Sequence, residues 1–325
     1  MARWRLFTGP AVDQYSESIV YAKIFIITGS LQRGKQMEEI KDFECAYDNS
    51  AAVIEEAAAR LKLKFPEAYK NQADMVRLSR AVKEKEGADF CILPFCHTLE
   101  AEALGAVINY GDARTGPRAK EYICTSLEEI LKLPQIDYTK GRIHEVLSAC
   151  KNLSGQNEKV VLKVSGPFTI LDALIDAGYV YRGMKKEPQL MKEIFWKLGE
   201  EILRFVEEAK ENGVGMISYA DSSGGVNILG PKRAEQVVED FTYEFMKRME
   251  SLADGRMLIL LCPKVAFSLI GAKKAEFRTV KLLRPMRYGE ACVELIGSIR
   301  FAGQMCMKNS QYLLKDGNFK ELILK

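Results

Sequence analysis

A chain of 325 residues, 47% of them apolar, is long enough to bury one large core. Its net charge of +3 comes from 47 basic and 44 acidic residues mixed along the chain, which argues against a nucleic-acid or membrane-surface protein. No apolar run approaches the ~20 residues of a membrane span, and Met1-Ala2-Arg3-Trp4-Arg5-Leu6 lacks a secretory apolar region.

The eight cysteines contain no CxxC pair, so reduced thiols in a cytoplasmic protein are expected. His97 and His144 are the only histidines, which makes a three-histidine metal site impossible.

In chain order, Ile24 to Ile27 reads as a strand followed by a turn at Thr28-Gly29-Ser30. Glu55 to Leu63 reads as a helix that stops before Phe65-Pro66. Asp74 to Glu86 is amphipathic, carries Met75, Leu78 and Val82 on one face, and stops at Gly87. Ala88 to Leu93 is a buried strand opening into Pro94-Phe95-Cys96-His97-Thr98. A further strand is expected from Ala106 to Ile108, ending at Gly111-Asp112. Thr125 to Leu131 reads as a short helix with Ser126 and Glu129 in capping-box spacing, and Gly141 to Asn152 as a longer one.

The stretch from Val160 to Ile228 organises the rest. Val160, Val161, Leu162 and Val164 form a short apolar run that breaks at Ser165-Gly166-Pro167. After Glu187-Pro188, the positions Met191, Ile194, Phe195, Leu198, Ile202, Phe205, Val206 and Ala209 fall on one stripe of period 3.6, closed by Asn212-Gly213. Met216 to Tyr219 is a second apolar run ending in Ala220-Asp221-Ser222-Ser223-Gly224-Gly225. Beyond it come a helix from Ala234 to Ser251 and an apolar run, Met257 to Leu261, ending at Cys262-Pro263. Phe277 to Leu282 and Ile299 to Ala302 read as strands, Glu290 to Leu295 as a helix, and Tyr312 to Asn318 as a hairpin.

Alternation of strand and helix from about residue 75 to 306 argues for a parallel sheet with crossover helices. The count fits an α/β fold of the (β/α)8 TIM-barrel kind, as a single domain with residues 1–64 as an N-terminal extension and 65–325 as the barrel. Such barrels hold their chemistry at the carboxyl ends of the strands. The candidates there are Cys96, His97, Glu100 and Glu102, then Ser165, then Tyr219, Asp221 and Ser223, then Cys262 and Cys306. Each has a plainer reading. Cys96 suits a core thiol, the glutamates suit a solvated helix face, and Asp221 suits an Asx-type turn.

The phrases FPEAYKNQADMVRLSRAV, GADFCILPFCHTLEAEALGAVINYGD and VSGPFTILDAL resemble the uroporphyrinogen decarboxylase superfamily. Within it they look closest to the corrinoid-dependent methylcobamide:coenzyme M methyltransferases, from about Phe65 to Ala253. The resemblance implies a (β/α)8 barrel that moves a methyl group between a corrinoid, carried on a separate protein, and a small thiol or other small methyl donor or acceptor. It also implies zinc held by a His-x-Cys pair and a later cysteine, which points to Cys262 and Cys306. Asp221 and Cys96 are the expected catalytic groups, with His97, Glu100, Ser165, Tyr219 and Ser223 contacting substrate.

Two departures stand out. Leu260 occupies the place of the zinc histidine, and residues 1–50 hold only Arg3, Arg5 and Arg33, too few for a porphyrinogen with eight carboxylates. Cofactor-free decarboxylation is therefore the second reading, and a barrel that keeps the fold as a binding protein is the third.

Overall fold

The long helix predicted after Glu187-Pro188 forms over Pro188–Glu211 in a computed structural model that describes residues 50–325. Proline stands at its start, where its missing N–H costs nothing. All eight positions of the predicted stripe are buried. At roughly 1.5–3 kcal/mol for each large apolar side chain removed from water, that stripe is a principal attachment of the helix layer to the sheet. Asn212 ends the helix and Gly213 turns the chain with φ +78°. The strand predicted at Ile24 to Ile27 lies outside the described residues.

The fold is an α/β barrel of the (β/α)8 class. Among the described residues its main sheet has seven strands, in spatial order Cys91–Leu93, Val160–Ser165, Met216–Ala220, Leu258–Leu261, Phe301–Ala302, Asn318–Leu324 and Ala275–Lys281. The first five pair in parallel, so their carboxyl ends meet at one rim. Asn318–Leu324 runs antiparallel to both of its neighbours. The expected all-parallel pattern therefore holds up to Ala302 and breaks at this last strand.

Strand alternation sorts the residues into two cores. Val160, Leu162, Val164, Ile217, Tyr219, Ile259 and Leu261 pack under the helices. Val161, Met216, Leu258, Leu260, Ala302 and Phe319 pack together on the opposite, axial face. A third cluster joins Ser50–Leu61 to Gln72–Glu86 through Ile54, Ala57, Ala58, Leu78 and Ala81.

Several expectations are corrected. The run at Ala106 to Ile108 gives only Ile108–Asn109, paired with Arg118–Ala119 outside the main sheet. The tail is not a hairpin, because Leu313–Leu314 pairs with Met286–Arg287 while Asn318–Leu324 enters the main sheet after a turn at Gly317. Ser126 makes no side-chain cap. Glu129 instead accepts from the Thr125 N–H at 2.6 Å, one residue further back than the capping box predicts. The helix expected from Ala234 to Ser251 runs from Pro231 to Leu252 and widens into a π turn at Val238–Thr242.

Candidate active site at the strand ends

Asp221 lies one residue beyond the strand Met216–Ala220, and strand parity decides where it points. Met216 faces the axis, while Ile217 and Tyr219 face the helices, so Asp221 falls on the helix side. The carboxylate at this strand end therefore does not face the axis. Its Oδ1 accepts from the Thr169 N–H at 2.8 Å and from Thr169 Oγ1 at 3.1 Å. Its Oδ2 accepts from the Phe168 N–H at 3.3 Å. These donors open the helix Pro167–Leu174, whose Gly166 cap has no side chain to serve them. Asp221 thus caps that helix from the neighbouring strand, a favourable place for negative charge. Burial pushes its carboxyl up to about 7, although these three hydrogen bonds act to lower it.

The same geometry explains two glycines. A Cβ on Gly166 would lie 2.3 Å from Asp221 Cβ and 2.4 Å from Cγ. A Cβ on Gly224 would lie 2.5 Å from Phe168 Cδ2. The Ser-Ser-Gly-Gly turn thus comes close to a phenylalanine ring. Gly166→Ala is expected to expel the Asp221 carboxylate and to destabilise the chain by about 1–3 kcal/mol, the range for overpacking. Urea unfolding would show it, and an unchanged midpoint would contradict the cap.

Cys96 is buried and faces a cation. Its Sγ accepts from Arg142 Nη1 at 3.1 Å and from Thr98 Oγ1 at 3.4 Å. The same guanidinium reaches Thr98 Oγ1 at 3.0 Å and donates from Nε to Glu102 Oε2 at 2.6 Å. Tyr110 donates to the other oxygen of Glu102 at 2.5 Å, and its phenol is pushed up to about 12 by burial and by that carboxylate. Arg142 comes from the helix Gly141–Gly155, so this network clamps that helix to the strand-end loop. The spacing of Cys96 and Glu102 was visible in the sequence. Their partner, some forty residues away, was not.

The remaining candidates separate by depth. Glu100 is 2% exposed and accepts from the Ser165 N–H at 2.6 Å, which corrects the solvated-face reading. Burial pushes its carboxyl above the usual carboxylate range. Tyr219 is 1% exposed, with its ring 5.6 Å from that of Phe245. Ser165 is buried and donates to the His97 carbonyl at 3.4 Å, while His97 itself is exposed. Ser223 donates to Asp172 Oδ2. Asp221, Tyr219, Ser223, Ser165 and Glu100 are therefore neighbours. Arg142, which holds Cys96, also lies close enough to Glu100 to act on its carboxyl, so the two groups adjoin.

The resemblance implies a zinc site, and its donors can be tested. Cys262 precedes the helix Pro263–Gly271, and Cys306 packs against the axial core; both are partly accessible. Among the described residues no group of three His, Cys, Asp or Glu side chains could hold a metal ion. Catalytic zinc takes three protein ligands, and the Leu260 side chain offers none, so the donor set does not fit.

One axial residue was passed over in the sequence. Lys163 interrupts the apolar run Val160–Ser165 and shares the face of Val161. Its neighbours across the sheet are Ser218, Leu260, Ala302 and Glu321, in register from strand to strand. A charge inside a buried strand was the signal that could have found it.

A largely parallel α/β barrel with polar groups gathered at the carboxyl ends of its strands defines the class, one whose members keep their sites at that rim. Residues 49–291, about three quarters of the chain, match the uroporphyrinogen decarboxylase (URO-D) family, and the chain belongs to it. It is 24% identical over 200 residues to the methylcobamide:CoM methyltransferase MtbA of Methanosarcina acetivorans, covering 60% of this chain and 58% of that protein. It is 22% identical over 235 residues to the methylcobamide:CoM methyltransferase MtaA of Methanosarcina barkeri, covering 71% and 67%. The matched stretch thus spans between half and two thirds of the length of these relatives. A methyltransferase from Methanosarcina mazei superposes with a TM-score of 0.55 at 21% identity over 66% of each chain, which shows the shared fold.

Proposed function

We propose that the chain is a corrinoid-dependent methyltransferase. It moves a methyl group between a corrinoid on a separate protein and a small thiol or other small methyl donor or acceptor. The observation that carries this reading is the similarity to methylcobamide:CoM methyltransferases over 200 to 235 residues of the chain. The rim is also well braced. Asp221 and Gly166 fix the entry of the helix Pro167–Leu174, and the Arg142 network fixes the loop before it. In this reading Asp221 is a positioning residue, and the exposed His97 contacts the substrate at the rim.

Among the described residues no helix is long and apolar enough to cross a membrane, and none of the cysteines forms a disulfide. Both observations support placing the chain in the cytoplasm. No step is routed through zinc, because the donor set falls short. A porphyrinogen substrate gains no support from the rim, where the buried Arg142 is already committed to Glu102, Cys96 and Thr98.

The test is chemical. The purified chain is incubated without oxygen with methylcobalamin and a small thiol, and the product is read by mass spectrometry. Methylated thiol above the uncatalysed background is expected. Carbon dioxide released from uroporphyrinogen, with no methylated thiol, would replace this reading by decarboxylation.

A further inference from the structure

A cavity lies on the helix side of the strand Met216–Ala220, among the helices Pro167–Leu174 and Pro263–Gly271 and the π turn Val238–Thr242. It measures about 20 Å³, room for one guest the size of a water molecule. Phe168, Val238 and Val265 give it apolar walls, and Tyr219, Asp221, Thr242 and Ser268 line it as well. Tyr219 is 1% exposed, yet its hydroxyl makes no hydrogen bond among the described residues. A hydroxyl taken from water and left unpaired is costly, so a guest in this cavity is its natural partner.

The lining favours a guest with positive charge. An ionised Asp221 only accepts, and its Oδ2 takes a single hydrogen bond, from the Phe168 N–H. Ser268 spends its proton on the Lys264 carbonyl at 2.9 Å, which leaves its lone pairs. The buried Glu201 and Glu321 pair with Arg204 and Arg278, whereas Asp221 pairs with no cation among the described residues. Lys264 also lines the cavity. Its stem passes Gly225, where a Cβ would stand 3.0 Å from the Lys264 Cδ, and its ammonium forms no ion pair among the described residues.

We propose that this cavity is a monovalent-cation site for potassium or ammonium, with Asp221 as its charged ligand and Tyr219, Thr242 and Ser268 as its neutral ones. Both ions are close to a water molecule in size. Out of bulk water, a carboxylate and a single positive charge attract more strongly, which offsets the cost of burying Asp221 ionised. The ion thereby holds the negative cap at the entry of the helix Pro167–Leu174. The site stands on the cavity and its lining, independently of the methyltransferase reading. Proton and cation compete for the same carboxylate, which burial pushes up to about 7, so the effect of the ion belongs above that pH. The other ionisable groups facing Asp221 are Tyr219 on its own strand, Asp172 on the helix Pro167–Leu174 and Lys264 on Pro263–Gly271; the π turn brings the uncharged Thr242.

The test is thermal melting of the full chain in potassium, ammonium or tetramethylammonium chloride at equal concentration, the last ion being too large for the cavity. At pH 8 the parent should melt about 2–4 °C higher in potassium or ammonium than in tetramethylammonium, as for a ligand present well above its Kd. At pH 5, where the carboxyl holds its proton, the difference should vanish. It should be absent from Asp221→Asn at both pH values and reduced in Tyr219→Phe, which loses one neutral ligand. In Lys264→Met, without the neighbouring positive charge, it should be at least as large as in the parent.

A parent that melts alike in all three salts at pH 8 would overturn the inference and leave the cavity to water. A full response in Asp221→Asn would also overturn it, by placing the ion elsewhere. So would a response seen in Lys264→Met alone, because the Lys264 ammonium would then be the guest.

Discussion

Replacing Arg142 by alanine is expected to cost the fold about 3–5 kcal/mol, the range for removing one partner of a buried ion pair. The guanidinium is 3% exposed and makes contacts to Glu102, Cys96 and Thr98. Its loss leaves the Glu102 carboxylate, 18% exposed, with only the Tyr110 hydroxyl. The helix Gly141–Gly155 then loses its polar clamp on the strand-end loop. Arg142→Lys keeps the charge but not the planar fork, so an intermediate loss is expected. Urea unfolding measures both variants. A midpoint for Arg142→Ala equal to the parent's would show that the network contributes nothing to stability.

The second large effect belongs to Asp221, and its sign depends on pH. The carboxyl sits well above its unfolded value, so the folded state holds its proton more tightly. Stability should therefore fall as pH rises from about 4 to about 7 and level off above that, because the unfolded chain releases the proton earlier. Across that window, at about 1.4 kcal/mol per pH unit, the loss has an upper scale of about 4 kcal/mol.

Asp221→Asn removes this titration. At pH 5 the variant should lie about 1–3 kcal/mol below the parent, because its amide presents a donor to one of the two backbone N–H groups. At pH 8 the gap should narrow, since the parent then carries a buried charge. Thermal melts across this range decide it, at roughly 2–4 °C per kcal/mol for a domain of this size. A gap that widens toward pH 8 would show that the ionised carboxylate is the better cap. Activity should also fall in Asp221→Asn, through displacement of the helix Pro167–Leu174.

Periodicity read the helix layer well, because burial of a stripe depends on spacing within one helix. The eight apolar positions of Pro188–Glu211 needed no knowledge of their partners. The tail failed for the opposite reason. Leu313–Leu314 and Asn318–Leu324 flank a turn that suits a hairpin, but distant strands offered each a better ladder. At the site, residue types and strand ends were legible, whereas facing was not. Counting one residue past the strand Met216–Ala220 sends Asp221 outward, and only the division of the core into two faces shows which parity is axial. Glu100 looked like a solvated acid because the Ser165 N–H that it accepts from comes from another strand. Lys163 was hidden by the run of valines around it, although a charged side chain in a buried strand was itself the clue.

The cobalt spectrum of a methylated corrinoid protein, recorded without oxygen on adding the purified chain and a small thiol, tests the methyl-transfer account most directly. Conversion of methyl-Co(III) to Co(I), in step with formation of methylated thiol and dependent on the chain, is the predicted result. A spectrum that stays methyl-Co(III) with every thiol offered, from a chain shown to be folded, would contradict it.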